Sequence, residues 1–279
     1  MSTRNPKVCG SGALLKQAFE KSGYPVDVLP WDKNADWSRY ASLFVLECWN
    51  YHLNRDAFLR WVEERTAEQI SVWNPLDILR WNTDKSYLLE LQKKGILILP
   101  TVFLRPDDTR SVSDVIGENG WTDAVIKPAV GASAFGTQKV SMSQVFDVDA
   151  ALDRSRTWVV QKFYPDIGEG EYSFIFFNRT FSHAVLKVPA KNEYRVHVDF
   201  GGRELPVSPD PSLIRAAQKI IDTVSGPLLY ARVDAVKKDN SLILMELELT
   251  EPYLFFDAYP EAAVRFVNAY KALTRGSAD

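Results

Sequence analysis

Residues 230–251 read YARVDAVKKDNSLILMELELTE, two largely apolar stretches separated by a polar turn. Alternation of aliphatic and polar side chains predicts a β-strand on each side, and the KKDNS segment predicts the turn of a hairpin. With that turn centred on Asn240, residues at equal distances from it face each other across an antiparallel ladder. The stretch therefore predicts a register as well as two strands.

The predicted register gathers three carboxylates on one face of the hairpin. Asp234 faces Glu246, and Glu248 follows on the same side, opposite Arg232. Like charges this close raise one another's pKa and destabilise the fold unless something compensates them. Carboxylate oxygens without His or Cys are typical ligands of Mg²⁺ or Mn²⁺. A solvated strand face is the alternative, although the apolar neighbours favour a central strand.

Composition excludes several classes of function. The chain has 279 residues, 46% hydrophobic and 25% charged, with a formal net charge of −3. This predicts a folded protein of two domains or lobes, with no overall basic field for nucleic acid or an anionic membrane. We find no signal peptide, no membrane-spanning run and no CxxC pattern, which predicts a cytoplasmic protein. A homodimer is expected only as the commonest oligomeric state.

The first eighty residues alternate between short apolar runs and helical periodicity. Helices are predicted at 13–22 and 55–70, and buried strands at 25–31 and 41–49. Such alternation predicts a parallel α/β layer. A loop is predicted over 72–85.

The rest of the chain is richer in strands. A helix capped by Thr83 or Asn82 and ended by Gly95 is predicted first. A strand–turn–strand centred on Asn178 and Arg179 follows later. Other strands are predicted at 96–100, 124–130, 157–164 and 194–200, and helices at 143–155, 210–225 and 260–275.

Two lysines and a small-residue loop are candidates for phosphate binding. Lys127 ends the apolar strand AVIKPAV, and a loop containing Gly131, Ser133 and Gly136 follows it. Backbone amides in such a loop approach phosphate oxygens closely. Lys85 stands near a helix start, where anions are favoured. Taken singly, each has an ordinary alternative, a flexible turn or a solvated lysine.

Several catalytic classes lack support. The three histidines show no zinc-ligand spacing, and no GxSxG, HExxH or Cys/His arrangement is present. Covalent nucleophilic catalysis is therefore not indicated. Lys187 and Arg195 flank a loop, and their ordinary interpretation is as surface charges.

The order of these features resembles the ATP-grasp carboxylate–amine ligases, particularly the glutathione-synthetase-like branch. The segments ELELTEPYLFF and WNPL…WNTDK are similar to a bacterial subgroup that includes the D-cycloserine-forming cyclo-ligase. The resemblance covers residues 74–257, through NTDKSYLLEL, VIKPAVGASAFGT, VVQKFYPDIGEGEYS, EYRVHVDFGG and ARVDAV followed by LMELELTEP.

This resemblance implies a fold and a reaction. The fold is α/β, with α+β character in its carboxyl-terminal part. The implied domains are an N-terminal parallel α/β domain (1–82), a lid subdomain (83–160) and a core of mixed or antiparallel sheet (161–279). ATP with Mg²⁺ or Mn²⁺ would activate a small carboxylate as an acyl phosphate for an amine, releasing ADP and phosphate. A small-molecule kinase and a non-catalytic nucleotide-binding protein are the alternatives.

The resemblance also implies which residues bind the nucleotide. Two lysines and the small-residue loop match the phosphate-binding groups, and a hinge segment matches the adenine site. Glu171 matches the ribose ligand, with Asp166 and Glu169 as competitors. The implied phosphate-binding residues are Lys85, Lys127, Gly131, Ser133 and Gly136. The implied adenine site is Gln161, Lys162 and Phe163.

Catalytic and metal-binding roles are implied in the same way. Arg195, together with Lys127, matches the groups that stabilise the transferring γ-phosphate. Asp234, Glu246 and Glu248 match the metal ligands. Many members of the family have Asn where Glu248 stands, which leaves the number and preference of metals open. The amino end, MSTRNPKVCGSG, is a second departure because it is a poor first strand.

Overall fold

Three β-sheets organise the described part of the chain. The computed structural model describes residues 10–143, 145–191, 193–239 and 241–275. Asn240, the predicted centre of the hairpin turn, and most of the amino-terminal departure lie outside these ranges. Among the described residues, no helix has both the length and the apolar character needed to cross a membrane.

The amino-terminal region contains the predicted parallel pairing. Its elements are α1 (Gly10–Lys21), β1 (Ser42–Phe44), α2 (Arg55–Ala67) and β2 (Ser71–Trp73). β1 and β2 pair in parallel, with Phe44 opposite Trp73. Asn54 caps α2 by accepting a hydrogen bond from the Ala57 N–H at 3.3 Å. This cap satisfies one of the amide groups that a helix start leaves unpaired.

The strand predicted at 25–31 is wrong. These residues have no regular secondary structure. Pro25 and Pro30 lack an N–H to donate, so the segment is poorly suited to a ladder. The parallel sheet therefore has two strands within the described residues.

The loop predicted over 72–85 is also wrong. Half of it forms helix α3 (Leu76–Asn82), which starts after Pro75 and buries Leu79 completely. Tertiary burial of this apolar side favours a short helix that local periodicity does not predict. Thr83 ends α3 instead of capping the next helix, α4 (Tyr87–Lys93), which follows Ser86.

A four-stranded antiparallel sheet forms the middle of the chain. Its elements are β3 (Thr101–Leu104), α5 (Val112–Glu118), β4 (Asp123–Pro128), β5 (Gln138–Ser141), α6 (Val145–Ala151) and β6 (Trp158–Lys162), in strand order β3–β6–β4–β5. The strand predicted at 96–100 is wrong, because the strand starts later, as β3. In the 96–100 segment, Ile98 forms only an isolated bridge to Leu244. Val112, Ile116 and Val145 pack on one face of the sheet, which gives the unit its own core.

A five-stranded antiparallel sheet forms the largest layer. Its elements are β7 (Glu171–Phe177), β8 (Thr180–Val188), β9 (Arg203–Val207), α7 (Pro211–Asp222), β10 (Tyr230–Lys238), β11 (Ser241–Glu248) and α8 (Ala262–Arg275), in strand order β11–β10–β7–β8–β9. Asn178 and Arg179 have φ of 45° and 62°, so they form the predicted tight turn.

The strand predicted at 194–200 is wrong. The segment is irregular and ends in a 3₁₀ turn, Val198–Phe200, while β9 forms the sheet edge instead. Gly202 explains the change of direction: a Cβ added there would lie 2.1 Å from the carbonyl oxygen of Val196. Only glycine permits the chain to fold back this closely.

The predicted hairpin register is confirmed at the end that carries the carboxylates. Asp234 pairs with Glu246, and Arg232 with Glu248. A bulge then shifts the pairing by one residue, so that Ala235 pairs with Leu244. A bulge inserts an extra residue into one strand without disturbing the alternation on either side of it.

The two faces of the five-stranded sheet pack against different helices. α4 and α7 cover one face through residues such as Leu88 and Ile221. α1 and α8 cover the other through Phe19 and Phe266, around Tyr230 at the start of β10. Beyond Tyr230 this second face carries charged side chains, and these line the cleft described below.

Because His183 on β8 is buried, we expect the free energy of unfolding to fall in acid. Its Nε2 lies 3.0 Å from the carbonyl oxygen of Leu254, and burial lowers its pKa from 6.5 to about 4. As the pH falls from about 6.5 to 4, His183 therefore takes up a proton in the unfolded chain but stays neutral in the folded chain. We expect this residue to remove as much as ~3 kcal/mol of stability over that range.

The measurement is urea unfolding at pH 7 and pH 4 for the wild type and His183→Gln. The variant should lose less stability than the wild type between the two pH values. Equal losses would show that His183 does not titrate as described.

Candidate active site

One cleft brings almost all the predicted site residues together. It has a volume of about 2570 Å³ and is lined by parts of all three sheets. Gly136 is absent from its lining and packs behind the loop, where an added Cβ would lie 3.1 Å from Pro128. The lining includes Lys85, Lys127, Gly131, Ser133, Gln161, Lys162, Phe163, Glu171, Arg195, Asp234, Glu246 and Glu248.

Polar side chains form a row across neighbouring strands of the five-stranded sheet. Ser173 on β7 is in register with Asp234 on β10, which is in register with Glu246 on β11. Side chains in register on adjacent strands share one face. Glu171 and Lys187 form a second pair in register on β7 and β8.

Asp234 lies at the centre of this row and is fully engaged. Its carboxylate accepts hydrogen bonds from Ser173 Oγ at 2.5 Å and from Arg232 Nη2 at 2.9 Å, and Lys187 Nζ lies 3.1 Å away. Burial opposes ionisation, but Arg232 and Lys187 outweigh it and hold the pKa of Asp234 well below its usual range. Asp234 is therefore ionised at neutral pH.

The negative charge of Glu248 is less fully compensated by neighbouring cations than that of Asp234. Its Oε1 accepts a hydrogen bond from Arg232 Nη2. Burial, reinforced by Asp234 and Glu246 and opposed by Arg232, raises the pKa of Glu248 to about 7. A further cation beside this carboxylate would favour its ionised form.

Lys85 connects β11 to the small-residue loop. Its ammonium lies 2.9 Å from Glu246 Oε1 and donates to the carbonyl oxygen of Gly131 at 2.9 Å. Burial disfavours the ammonium, but Glu246 outweighs this effect and raises the pKa of Lys85. In the loop itself, Ser133 and Ala134 have φ of 50° and 55°. Lys85 thus holds the folded loop beside the carboxylates.

Lys127 on β4 is a cation with no paired counter-charge among the described residues. Within the described parts of the chain, its ammonium makes no hydrogen bond or ion pair. Burial lowers its pKa, because Glu246 compensates only partly and Lys85 adds a like charge. An anionic ligand in the cleft would relieve this cost, which fits the predicted role in phosphate binding.

The carboxylates have the chemistry of a metal site. Among the residues that the structure describes, no group of three His, Cys, Asp or Glu is placed to hold a metal ion. Lys85, Arg232 and Lys187 pair with the carboxylate oxygens instead. The donor set consists of hard oxygens, and Glu248 carries the raised pKa that a divalent cation would lower. These residues therefore fit Mg²⁺ or Mn²⁺.

The predicted adenine segment contributes an apolar wall. Phe163 packs with the cluster that contains Leu99 and Ile167, and Lys139 Nζ lies 3.8 Å from its ring centroid. Gln161 Nε2 donates to Thr101 Oγ1 at 3.0 Å, which fixes its amide. The Lys162 side chain is exposed, while its N–H donates to the Pro100 carbonyl oxygen at 3.0 Å.

The three candidates for the ribose ligand differ in position. Glu171 is buried in the cleft, 2.5 Å from Lys187 Nζ. Burial raises the pKa of Glu171, although Lys187 opposes the rise. Asp166 and Glu169 are exposed on the 3₁₀ turn Pro165–Glu169 and are not part of the cleft lining.

Arg195 lines the cleft without joining the row of carboxylates. Its Nη2 donates to Glu193 at 2.7 Å, and its guanidinium lies 3.5 Å from the ring centroid of Phe200. Arg232 is the arginine that contacts Asp234 and Glu248. Whether Arg195 acts on a phosphate therefore stays a prediction.

Lys187 was missed by sequence reasoning, and its interpretation as a surface charge is wrong. Its side chain is buried between Glu171 and Asp234. A regular hairpin around the Asn178–Arg179 turn would pair Glu171 with Leu186. A bulge between Ile175 and Phe176 shifts this ladder by one residue and brings Lys187 opposite Glu171.

Two buried asparagines, also missed, hold the end of β11. Asn82 Nδ2 donates to the Leu247 carbonyl oxygen at 2.7 Å, and its Oδ1 accepts from the Leu249 N–H at 2.7 Å. Asn74 Nδ2 donates to the Leu249 carbonyl oxygen at 2.7 Å. These contacts position the backbone around Glu248. Their signal in the sequence is the pair of Asn residues in WNPLDILRWN.

The sequence and the structure of this chain are similar to those of several known proteins. The family described as D-cycloserine synthetase DcsG, N-terminal domain, matches residues 1–74. Cycloserine biosynthesis protein DcsG from Streptomyces lavendulae is 26% identical over 274 residues, which cover 91% of this chain and 91% of that protein. The crystal structure of D-cycloserine synthetase DcsG matches with a TM-score of 0.80 at 24% identity, covering 92% of each chain.

More distant relatives share the architecture. Glutathione synthetase from Rhodopseudomonas palustris is 26% identical over 167 residues, 56% of this chain and 49% of that protein. A RimK domain ATP-grasp protein from Sphaerobacter thermophilus matches with a TM-score of 0.67 at 13% identity, covering 93% of this chain and 95% of that one. These similarities confirm the predicted fold and the predicted likeness to both groups, and they agree with a ligase.

Proposed function

We propose that this chain, a member of the ATP-grasp superfamily, is an ATP-dependent carboxylate–amine ligase for a small amino-acid-like substrate. The observation that supports this most directly is the set of charged side chains that face the cleft. Asp234, Glu246 and Glu248 face it from one sheet, and the unpaired Lys127 faces it from another. Such an arrangement fits a ligand that is both anionic and accompanied by a cation, as a metal–nucleotide complex is.

The reaction has two steps. A substrate carboxylate oxygen attacks the γ-phosphorus of ATP, the bond from that phosphorus to the β–γ bridging oxygen breaks, and ADP leaves. The amine then attacks the acyl carbon, and the bond from carbon to the phosphate oxygen breaks. An amide-type bond forms, and phosphate and a proton are released. Acyl phosphates hydrolyse readily, so the protein must keep water away during the reaction.

The charged residues would supply most of the catalysis. Lys127 and Lys85 would neutralise phosphate charge, and the buried position of Lys85 strengthens that effect. Asp234, Glu246 and Glu248 would hold Mg²⁺ or Mn²⁺, which neutralises charge on phosphate oxygens. The loop with Gly131, Ser133 and Gly136 would cover the phosphates, because Lys85 already fixes it at that edge.

The nucleotide would lie along the four-stranded sheet. Phe163 and its apolar neighbours offer a wall for adenine, with Gln161 and Lys162 on the strand that leads into it. Glu171 would take the ribose hydroxyls, since it is the acid that faces the cleft. Arg195 would approach the γ-phosphate only after exchanging its contact with Glu193.

The relatives favour an intramolecular version of this reaction. The matching sequence and the matching crystal structure that both carry the name DcsG are named for cycloserine. In a cyclo-ligase, the nucleophilic nitrogen and the activated carboxyl belong to one molecule, so a single substrate fills both positions. The substrate itself is set by loops that vary among related folds.

The decisive experiment measures ADP release with a panel of small carboxylates, with and without amines, followed by mass analysis of the products. A product formed with loss of water, together with ADP and phosphate, supports the ligase. A stable phosphorylated product would indicate a kinase. Nucleotide binding without ADP release for any carboxylate would contradict both enzymes.

The organisation of the chain is proposed separately. Boundaries near residues 82 and 160 divide it into the three units expected of the fold, and limited proteolysis tests them. A homodimer is testable by light scattering. A cytoplasmic location is testable by fractionation of producing cells.

A further inference from the structure

Glu251 is a buried acid that the proposed chemistry does not use. It follows β11, is only 8% exposed and lines the cleft. Its backbone carbonyl oxygen accepts from the Glu47 N–H at 3.3 Å. Within the described residues, its carboxylate receives no hydrogen bond and no ion pair. A buried carboxylate left in this state is costly unless a ligand pairs with it.

The nearby cations are already engaged by other acids. Arg232 donates to Asp234 and Glu248, and its Nη1 also donates to the Tyr253 carbonyl oxygen at 3.1 Å. Lys85 is held by Glu246 and the loop. Among the residues that the structure describes, Glu251 therefore has no counter-charge of its own.

The surroundings of Glu251 form a polar corner on the amino-terminal side of the cleft. Tyr51 is buried there, and its hydroxyl makes no hydrogen bond to any described residue. Burial raises the pKa of Tyr51, and Glu251 is the carboxylate that adds most to the rise. The thiol of Cys48 donates to the Leu46 carbonyl oxygen at 3.5 Å. This corner thus combines a free carboxylate with a free hydroxyl.

We propose that Glu251 binds the ammonium group of the substrate, with the Tyr51 hydroxyl beside it, an inference that rests on the proposed function. An ammonium carries donors and a positive charge, which are what an unpaired carboxylate lacks. The substrate is then a small carboxylate with a primary ammonium. Its carboxyl end lies toward Lys127 and the metal-binding acids, and its ammonium end lies toward Glu251.

The experiment compares amino acids with their 2-hydroxy analogues. D- and L-serine, D- and L-alanine, glycerate and lactate are titrated into the protein with ADP and Mg²⁺ present. The wild type should bind at least one amino acid more tightly than its hydroxy analogue, and Glu251→Gln should weaken that amino acid ~10 to 100-fold. Glu251→Asp, which keeps the charge, should restore part of the preference. Glu118→Gln, an exposed acid on α5, is the matched control.

Several outcomes would overturn this assignment. Equal binding of amino and hydroxy compounds by the wild type would do so, as would an unchanged preference in Glu251→Gln. A loss of Mg²⁺ binding without a loss of preference would make Glu251 a metal ligand instead. Thermal unfolding of each variant confirms that it is folded, and removing an unpaired buried charge should not lower its midpoint.

Failure of this inference is separable from failure of the ligase. If carboxylates trigger ADP release but Glu251→Gln affects amino and hydroxy compounds equally, the ligase stands and the ammonium site falls. If no carboxylate triggers ADP release but Glu251→Gln abolishes amino-acid binding, the ammonium site stands and the ligase falls.

Discussion

Replacing Glu246 by Gln is expected to lower ATP-dependent ADP release by ~10²- to 10³-fold while the protein stays folded. Glu246 is half-buried, and its ion pair within the described chain is with Lys85 at 2.9 Å. Gln keeps the shape of the side chain but removes the charge proposed to bind the metal. ADP release is measured at several Mg²⁺ concentrations, because weakened metal binding should raise the concentration needed.

Glu246 provides a cleaner test than Asp234. Asp234 compensates both Arg232 and Lys187, which are buried. Asp234→Asn would leave these cations undercompensated, and breaking a buried pair in this way costs ~3–5 kcal/mol. Lost activity in that variant would therefore mix unfolding with catalysis.

Glu118→Gln serves as the control because Glu118 is exposed and lies outside the cleft. It should match the wild type in both activity and stability. Turnover in Glu246→Gln within about threefold of the wild type, at every Mg²⁺ concentration, would remove Glu246 from the proposed metal ligands.

Asn74→Ala should have the largest effect on stability, a loss of ~3–5 kcal/mol in the free energy of unfolding. The Asn74 side chain is fully buried and donates to the carbonyl oxygens of Tyr230 at 3.0 Å and Leu249 at 2.7 Å. Its Oδ1 accepts from the Leu229 N–H at 2.9 Å. Alanine would leave all three backbone groups buried without this partner. Urea unfolding measures the loss.

The matched control for this variant is Asn34→Ala, since Asn34 is exposed. It should change the free energy of unfolding by less than about 0.5 kcal/mol. A loss below about 1 kcal/mol for Asn74→Ala would mean that water replaces the missing side chain, and that Asn74 does not tie β10 to the end of β11.

Features that depend on neighbouring residues were predictable. The register of β10 with β11 follows from a short turn, so Asp234 was placed opposite Glu246 correctly. The helices α7 and α8 show strong periodicity, and the structure contains both. Helix α3 lacks such a signal, because its burial against distant parts of the chain decides its form.

Features that depend on irregularity or on distance were not predictable. The bulge in the ladder between β7 and β8, which aligns Lys187 with Glu171, follows no local pattern. Lys85 reaches Glu246 across more than 150 positions of sequence. Neither pairing has a signal at the level of single residues.

The sequence by itself determined the row of acids on β10 and β11 and the order of elements typical of an ATP-grasp protein, because strand alternation and hairpin geometry act over a few residues. Only the tertiary structure decided how each acid is compensated. Asp234 pairs with Arg232 and Lys187, Glu246 pairs with Lys85, and the Glu251 carboxylate has no partner in the described part of the chain. The physical reason is that burial and charge pairing depend on which distant segments meet in the cleft, and the free carboxylate of Glu251 is visible only there.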